Sequence, residues 1–206
     1  MTNQNQIIWI ARHGNRLDFV HPEWFNTAPR RYDPPLSEDG FIQAKKLANR
    51  FKNEDIKHIF VSPFLRAIQT ANPVAQILNL PLKIEKGLGE WLNQEWIAEM
   101  PETEPQKNLA KMFPSIDWNY KSLVIPLYPE TESQMMQRMA KTVAKLIENY
   151  GEHLLLIGHS ASVLGCSLGL LKEDIKINSS LCCLVKMMKN NNKWELILNG
   201  DTSHLS

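Results

Sequence analysis

Apolar positions along this chain come as short unbroken runs, alternating with stretches where they recur every three or four residues. That is the pattern of buried strands joined by amphipathic helices. The first run, Ile7 to Ala11, stops abruptly at Arg12-His13-Gly14, so it predicts a buried strand that carries charge to its carboxyl end. Ser37 precedes Glu38 and Asp39, and Phe41, Ala44, Leu47, Ala48 and Phe51 then follow at helical spacing. This predicts a helix to about Lys52 with Ser37 as its N-cap. His58 to Val61 reads as a second strand, with Ser62-Pro63 opening a helix that carries Arg66 in its first turn and Thr70 and Ala71 further along. Pro73 is expected to kink or interrupt that helix before Ala75 to Leu78.

Leu82 to Ile84 reads as a third strand, and Gly87 and Gly89 flank a turn into Glu90-Trp91. Met135, Met139, Val143 and Leu146 mark one face of a helix over Glu130 to Tyr150, ended by Gly151. His153 to Gly158 is a Leu-rich strand ending at His159, a helix over Ser160 to Leu171 follows, and Leu181 to Met188 with Trp194 to Leu198 forms a closing hairpin around Asn190 to Asn192. Two segments have no regular period, 17–36 and 97–129. Both are expected to be lid-like and to wall the site.

A length of 206 residues, 43% of them hydrophobic, suits a single domain over 1–206. The net charge of +1 supplies no long-range field, so neither nucleic acid nor an anionic membrane is an expected partner and any anion selectivity must be local. The polar start MTNQNQ and the lack of any long apolar run predict a cytoplasmic protein without a membrane span. Cys166, Cys182 and Cys183 lie in apolar segments without CxxC spacing, which predicts core thiols rather than disulfides or a zinc site.

Arg12, His13 and Arg16 at one strand end make a candidate anion pocket. Guanidiniums bind phosphate oxygens in pairs, and their charge keeps an imidazole neutral and nucleophilic, with Gly14 allowing a tight turn. The plainer alternative is a basic surface turn. Arg66, in a first helical turn after a strand, joins a guanidinium to a helix N-terminus, which also suits phosphate. Glu90, on the residues alone, is a carboxylate beside aromatics. GHSAS, Gly158 to Ser162, is close to the nucleophile elbow of serine hydrolases, with Asp201 and His204 downstream, and provides a rival reading with Ser160 as nucleophile.

Arg-His-Gly after a first strand resembles the signature of the histidine phosphatase, or phosphoglycerate-mutase-like, superfamily. PLSEDGFIQA (Pro35 to Ala44), VSPFLRAIQTA (Val61 to Ala71), GLGEW (Gly87 to Trp91) and LLLIGHSAS (Leu154 to Ser162) match it in order. The RHGNRLD opening, GLGEW and the run Glu132 to Arg138 look most like the phosphatase domain of the suppressor of T-cell receptor signalling proteins.

The resemblance implies a three-layer α/β/α fold with a mostly parallel, phosphoglycerate-mutase-like sheet. It makes His13 the nucleophile that accepts phosphate, Glu90 the proton donor and then base, and Arg12, Arg16, Arg66 and His159 the phosphate-binding groups. Metal and other cofactors are expected to be absent, and the substrate to be a small-molecule or phosphoamino-acid phosphate monoester. A homodimer is possible. Mutase-type phosphoryl transfer and a non-catalytic phospholigand-binding module are the related alternatives. Segment 97–129 contains no Arg to hold a glycerate carboxylate, which argues against a mutase.

Overall fold

The computed structural model describes residues 5–206, so the start Met1 to Gln4 of the polar segment lies outside the described residues. Six strands form one sheet in the order β3-β2-β4-β1-β5-β6. They are β1 (Ile7–Arg12), β2 (His58–Val61), β3 (Leu82–Ile84), β4 (Leu154–Gly158), β5 (Leu184–Asn190) and β6 (Lys193–Asp201). The first four in that order are parallel, while β5 and β6 add an antiparallel edge. Asn191 and Asn192 take the left-handed backbone that a two-residue hairpin turn requires, at φ 46° and 65°.

Side-chain alternation splits the strands between two cores, producing three layers. Trp9, Ala11, Leu155 and Ile157 face one side, where α3 (Glu38–Phe51) and α4 (Leu65–Leu78) pack, together with Leu109 of α5 (Gln106–Met112). Ile8, Ile10, Leu154 and Leu156 face the other side, against α6 (Glu132–Asn149) and α7 (Ser160–Leu171). Neighbouring β1 and β4 therefore feed helices on opposite faces. That is the topological switch point at which open α/β sheets leave a crevice beyond their carboxyl ends. His13 and His159 stand at its two rims.

Ser37 caps α3 as expected, accepting from Gly40 N. Phe41, expected on the buried face, is exposed while Ala44, Leu47, Ala48 and Phe51 are buried. Pro73 does not interrupt α4, which runs continuously from Leu65 to Leu78 with buried Ala71, Val74 and Ala75 holding it to the sheet. The cap of α4 is Phe64, so Ser62 is free for another role. Extended backbone at Tyr150 ends α6 before Gly151 is reached. Gly14 has no left-handed backbone; a Cβ there would meet Gly40 O at 2.8 Å, so it is glycine because α3 approaches closely.

The segment 17–36 contains two single-turn helices, α1 (Leu17–Val20) and α2 (Trp24–Thr27). It is tied to the segment 97–129 at three points: an Arg30–Glu104 ion pair, Asp33 Oδ2 accepting from Glu104 N at 2.9 Å, and Tyr32 OH accepting from Ala98 N at 3.1 Å. Arg30 is thereby spent on a lid-to-lid contact, and Arg31 lies over the Phe25 ring. The three cysteines are buried and unbridged, and burial raises their thiols to about 12, 12 and 11 for Cys166, Cys182 and Cys183. Among the described residues no helix is long and apolar enough to cross a membrane.

Candidate active site

Three strand ends and one helix start converge at the crevice. His13 follows β1, with its backbone N–H held by Gly158 O at 2.9 Å and its carbonyl by Cys182 N at 3.0 Å. Its Nδ1 lies 2.7 Å from Gly14 O, so the proton belongs on Nδ1 and Nε2 presents a lone pair. His159 follows β4 as the N-cap residue of α7, with its backbone N–H bound to Ser162 Oγ at 3.0 Å, and Ser162 in turn donates to Leu88 O. Ser62, after β2, places its Oγ 2.7 Å from His159 Nε2. With the Ser62 hydroxyl donating, the His159 proton falls on Nδ1, 3.2 Å from Glu90 Oε2.

Arg66 is the centre of this cluster. Its Nε lies 3.3 Å from His13 Nε2, and its terminal nitrogen lies 3.2 Å from both Glu90 Oε2 and His159 Nδ1. The guanidinium is almost wholly buried, Phe64 lies beneath it at 4.7 Å, and Asp33 approaches from behind at 4.0 Å. Thr70, one turn on, accepts from Gly14 N at 3.1 Å and so fixes α4 against the turn after β1.

The electrostatics follow from burial and this one cation. His13 is held well below its usual pKa, first by burial and then by Arg66 and His159. Burial also brings His159 down to about 4, against the opposing pull of Glu90. Arg66 falls to about 10 through burial and the nearby Arg16, with Glu90 and Asp33 resisting. Burial alone would raise the Glu90 carboxyl, but His159, Arg66 and His13 draw it well below the ordinary carboxylate range.

Among the described residues, neither Arg12 nor Arg16 hydrogen-bonds to His13 or His159. Arg12 donates to Ser179 O at 2.8 Å, while its buried Nε has no hydrogen-bond partner among the described residues. Arg16 is paired with Asp18, with Nε to Oδ1 at 2.7 Å, and is not bonded to the imidazole; its charge reaches the site through Arg66 and His159. Arg66, not this flanking pair, is therefore the principal cation at His13.

Two residues without an assigned role in the sequence prove to shape the site. Arg138 of α6 is buried and donates to the carbonyls of Gly87 (2.8 Å), Gly89 (3.1 Å) and Glu90 (3.0 Å), while Nε pairs with Glu130 at 2.9 Å. It clamps the backbone that carries the Glu90 side chain. Glu85, fully buried, accepts from Gly87 N, Leu123 N, Val124 N, Tyr120 OH and Ser122 Oγ, and so holds the 118–126 stretch beside the Glu90 turn. An acid in a short apolar strand context was the available signal for Glu85; Arg138 had only its place in the matched run.

The serine-hydrolase arrangement does not form. Ser160 Oγ pairs with Ser179 Oγ, Asp201 with Ser203, and both ring nitrogens of half-buried His204 lack partners among the described residues. His13, Glu90 and His159 do bring one potential metal-ligand atom each within 4.8 Å, a trio that the sequence spacing did not suggest. All three already face the Arg66 guanidinium, so an added cation there would meet like charge.

Comparison with known proteins identifies the family. The model of the histidine phosphatase superfamily (branch 1) matches residues 8–202. The transcription factor tau 55 kDa subunit of Saccharomyces cerevisiae is 31% identical over 245 residues, covering 97% of this chain and 56% of that protein. Human ubiquitin-associated and SH3 domain-containing protein B is 24% identical over 205 residues, covering 80% of this chain and 31% of that protein. The chain thus spans about half of the first relative and under a third of the second. The crystal structure of the ecdysone phosphate phosphatase from Bombix mori in complex with tungstate matches with a TM-score of 0.77 at 21% identity, over 96% of this chain and 93% of that one.

Proposed function

The chain belongs to the histidine phosphatase superfamily, and we propose that it hydrolyses phosphate monoesters through a phosphohistidine on His13, without a metal. The observation that carries this reading is the buried guanidinium of Arg66, which donates to His13 Nε2 and to Glu90 with His159 Nδ1 3.2 Å away. An entering phosphoryl group takes over the donors of Arg66, leaving the Nε2 lone pair to attack phosphorus. Arg12, Arg16, Arg66 and His159 neutralise its oxygens, and the unused Nε of Arg12 is one ready donor.

In the first step the Nε2–P bond forms as the P–O ester bond breaks, and Glu90 gives its proton to the departing alcohol oxygen. In the second, water attacks phosphorus, Glu90 takes the water proton, and the N–P bond breaks to release phosphate. Glu90 begins ionised, so its proton arrives with the substrate. Either a phosphate monoanion transfers one, or the negative charge of a bound dianion offsets the Arg66 cation and raises the carboxyl.

A second reading, a binding module without turnover, is favoured by the yeast relative, which is named as a transcription factor subunit. Phosphate release from 4-nitrophenyl phosphate with chelator present, and acid-quench trapping of a labelled acid-labile adduct, separate the two. Steady turnover lost in His13→Ala supports the phosphatase. Binding of vanadate and phosphate with equal affinity and no turnover supports the module, and loss of turnover in chelator rejects the metal-free mechanism.

A further inference from the structure

A cavity of about 250 Å³ opens directly beside the proposed proton donor, with Phe64, Leu92, Met100, Pro101, Ile125 and Pro126 among its walls. Two residues belong to both this cavity and the phosphate pocket. Glu90 contacts Arg66 on one side and lines the cavity on the other. Phe64 lies against His159, ring centroids 5.1 Å apart, and under the Arg66 guanidinium at 4.7 Å, and it too lines the cavity. With the phosphoryl group held by Arg66 and the ester oxygen protonated by Glu90, this cavity is the space next to the departing alcohol.

From that placement we infer that the site is built for phosphate esters of bulky, apolar, uncharged alcohols rather than phosphorylated hydroxy acids. This inference rests on the phosphatase reading and specifies its substrate class. The walls contain two charged side chains, Glu90 itself and Lys86. A carboxylate on the leaving group would be desolvated among proline, methionine and isoleucine, next to the Glu90 carboxylate, with one exposed ammonium to offset it. The volume takes one or two rings, below the size of a typical drug-like site. A second cavity of about 500 Å³ shares Pro63, Lys86, Thr103 and Ile125 with the first, and Asp117, Trp118 and Lys121 make it more polar. A longer alcohol thus keeps an apolar body at the ester and any polar group at its far end.

The test compares ethyl, 2-cyclohexylethyl and 2-(2-naphthyl)ethyl phosphates, all primary alkyl esters with closely similar leaving-group basicity, against 3-phosphoglycerate and phosphoserine. 4-Nitrophenyl phosphate serves as the standard for activity. The expected result is a kcat/KM that rises about tenfold or more from the ethyl to the naphthylethyl ester, with both hydroxy-acid phosphates below the cyclohexylethyl ester. Ile125→Asp and Met100→Asp, at positions more than a third exposed and so safe for folding, should each compress the naphthylethyl-to-ethyl ratio severalfold. A flat alkyl series, a preference for 3-phosphoglycerate or phosphoserine, or an unchanged ratio in both variants overturns the inference while 4-nitrophenyl phosphate turnover keeps the phosphatase reading. No turnover of any ester overturns both.

Discussion

Arg66 Nε lies 3.3 Å from His13 Nε2, the one imidazole nitrogen left without a proton by the bond from Nδ1 to Gly14 O. The cation thus holds its hydrogen bond to the nucleophile until an anion draws it away. It also suppresses protonation of His13, where it is the largest influence after burial.

Arg66→Ala should accordingly do two things at once. Loss of a buried donor to the phosphoryl oxygens should lower kcat/KM for 4-nitrophenyl phosphate by about 10²- to 10³-fold. Removing the cation should also raise the His13 pKa, so the acid limb of the kcat/KM profile should shift to higher pH. Arg66→Lys should restore part of the second effect and little of the first, since a compact ammonium lacks the planar fork that reaches both His13 and Glu90. A rate loss with an unmoved acid limb would make Arg66 a phosphate ligand only.

Glu90→Gln tests the proton donor through the leaving group. The amide keeps size and a hydrogen bond but has no proton to give, so alkyl phosphates should slow by up to about 10²- to 10⁴-fold. Aryl phosphates, whose phenol leaves with a pKa of about 10, should suffer much less. Because the resting carboxyl is ionised, wild-type kcat/KM for an alkyl phosphate should fall above about pH 6, where the monoanion that carries its own proton disappears. Equal loss across leaving groups would reassign Glu90 to orienting Arg66.

How far the site could be read from sequence follows from what each residue depends on. His13 and His159 sit at strand ends and Arg66 in a first helical turn, positions that local pattern predicts, whereas Glu90, beyond the turn at Lys86–Leu88, is pointed out only by the family resemblance. The three-layer arrangement is equally legible, because β1 and β4 alternate apolar side chains between two faces. The direction of the Glu90 shift was not legible, since it depends on His159 and then on Arg66, both far from Glu90 in sequence. Neither was the role of Ser62, which reads as a helix opener until the strand order brings β2 beside β4. Pro73 misled because propensity favours a break, whereas burial on both sides of it holds α4 together.

Arg138 should act as a positioning residue. Arg138→Met leaves buried Glu130 unpaired, a cost of about 3–5 kcal/mol in comparable cases. Adding Glu130→Gln should recover much of that stability, because Leu92 N and the remaining packing keep a neutral partner. Activity should stay low in the double variant, with kcat falling more than KM rises, since the carbonyls of Gly87, Gly89 and Glu90 have lost their common donor. Recovery of activity together with stability, read from urea midpoints and steady-state rates, would mean that Arg138 only holds the fold.

The neutral imidazoles at the centre should also make the fold sensitive to acid. His159 is held to about 4 in the folded chain, against 6.5 for a free imidazole, and His13 is depressed as well. Above about pH 6.5 neither folded nor unfolded chain binds these protons, and they leave stability unchanged. As pH falls below that value the unfolded chain takes them up and the folded chain refuses, so stability declines until the folded pKa is reached. Glu90 acts in the same direction below about pH 4.3, because its folded carboxyl stays ionised where the unfolded one is protonated. At about 1.4 kcal/mol per pKa unit, His159 alone gives a loss of order 3 kcal/mol by pH 4. Urea midpoints measured between pH 7.5 and 4.5 should therefore fall more steeply for wild type than for His159→Asn, which cannot titrate, even though the variant starts lower for want of its bond to Ser62. Parallel slopes would place the acid sensitivity in groups outside the His13–His159 pair.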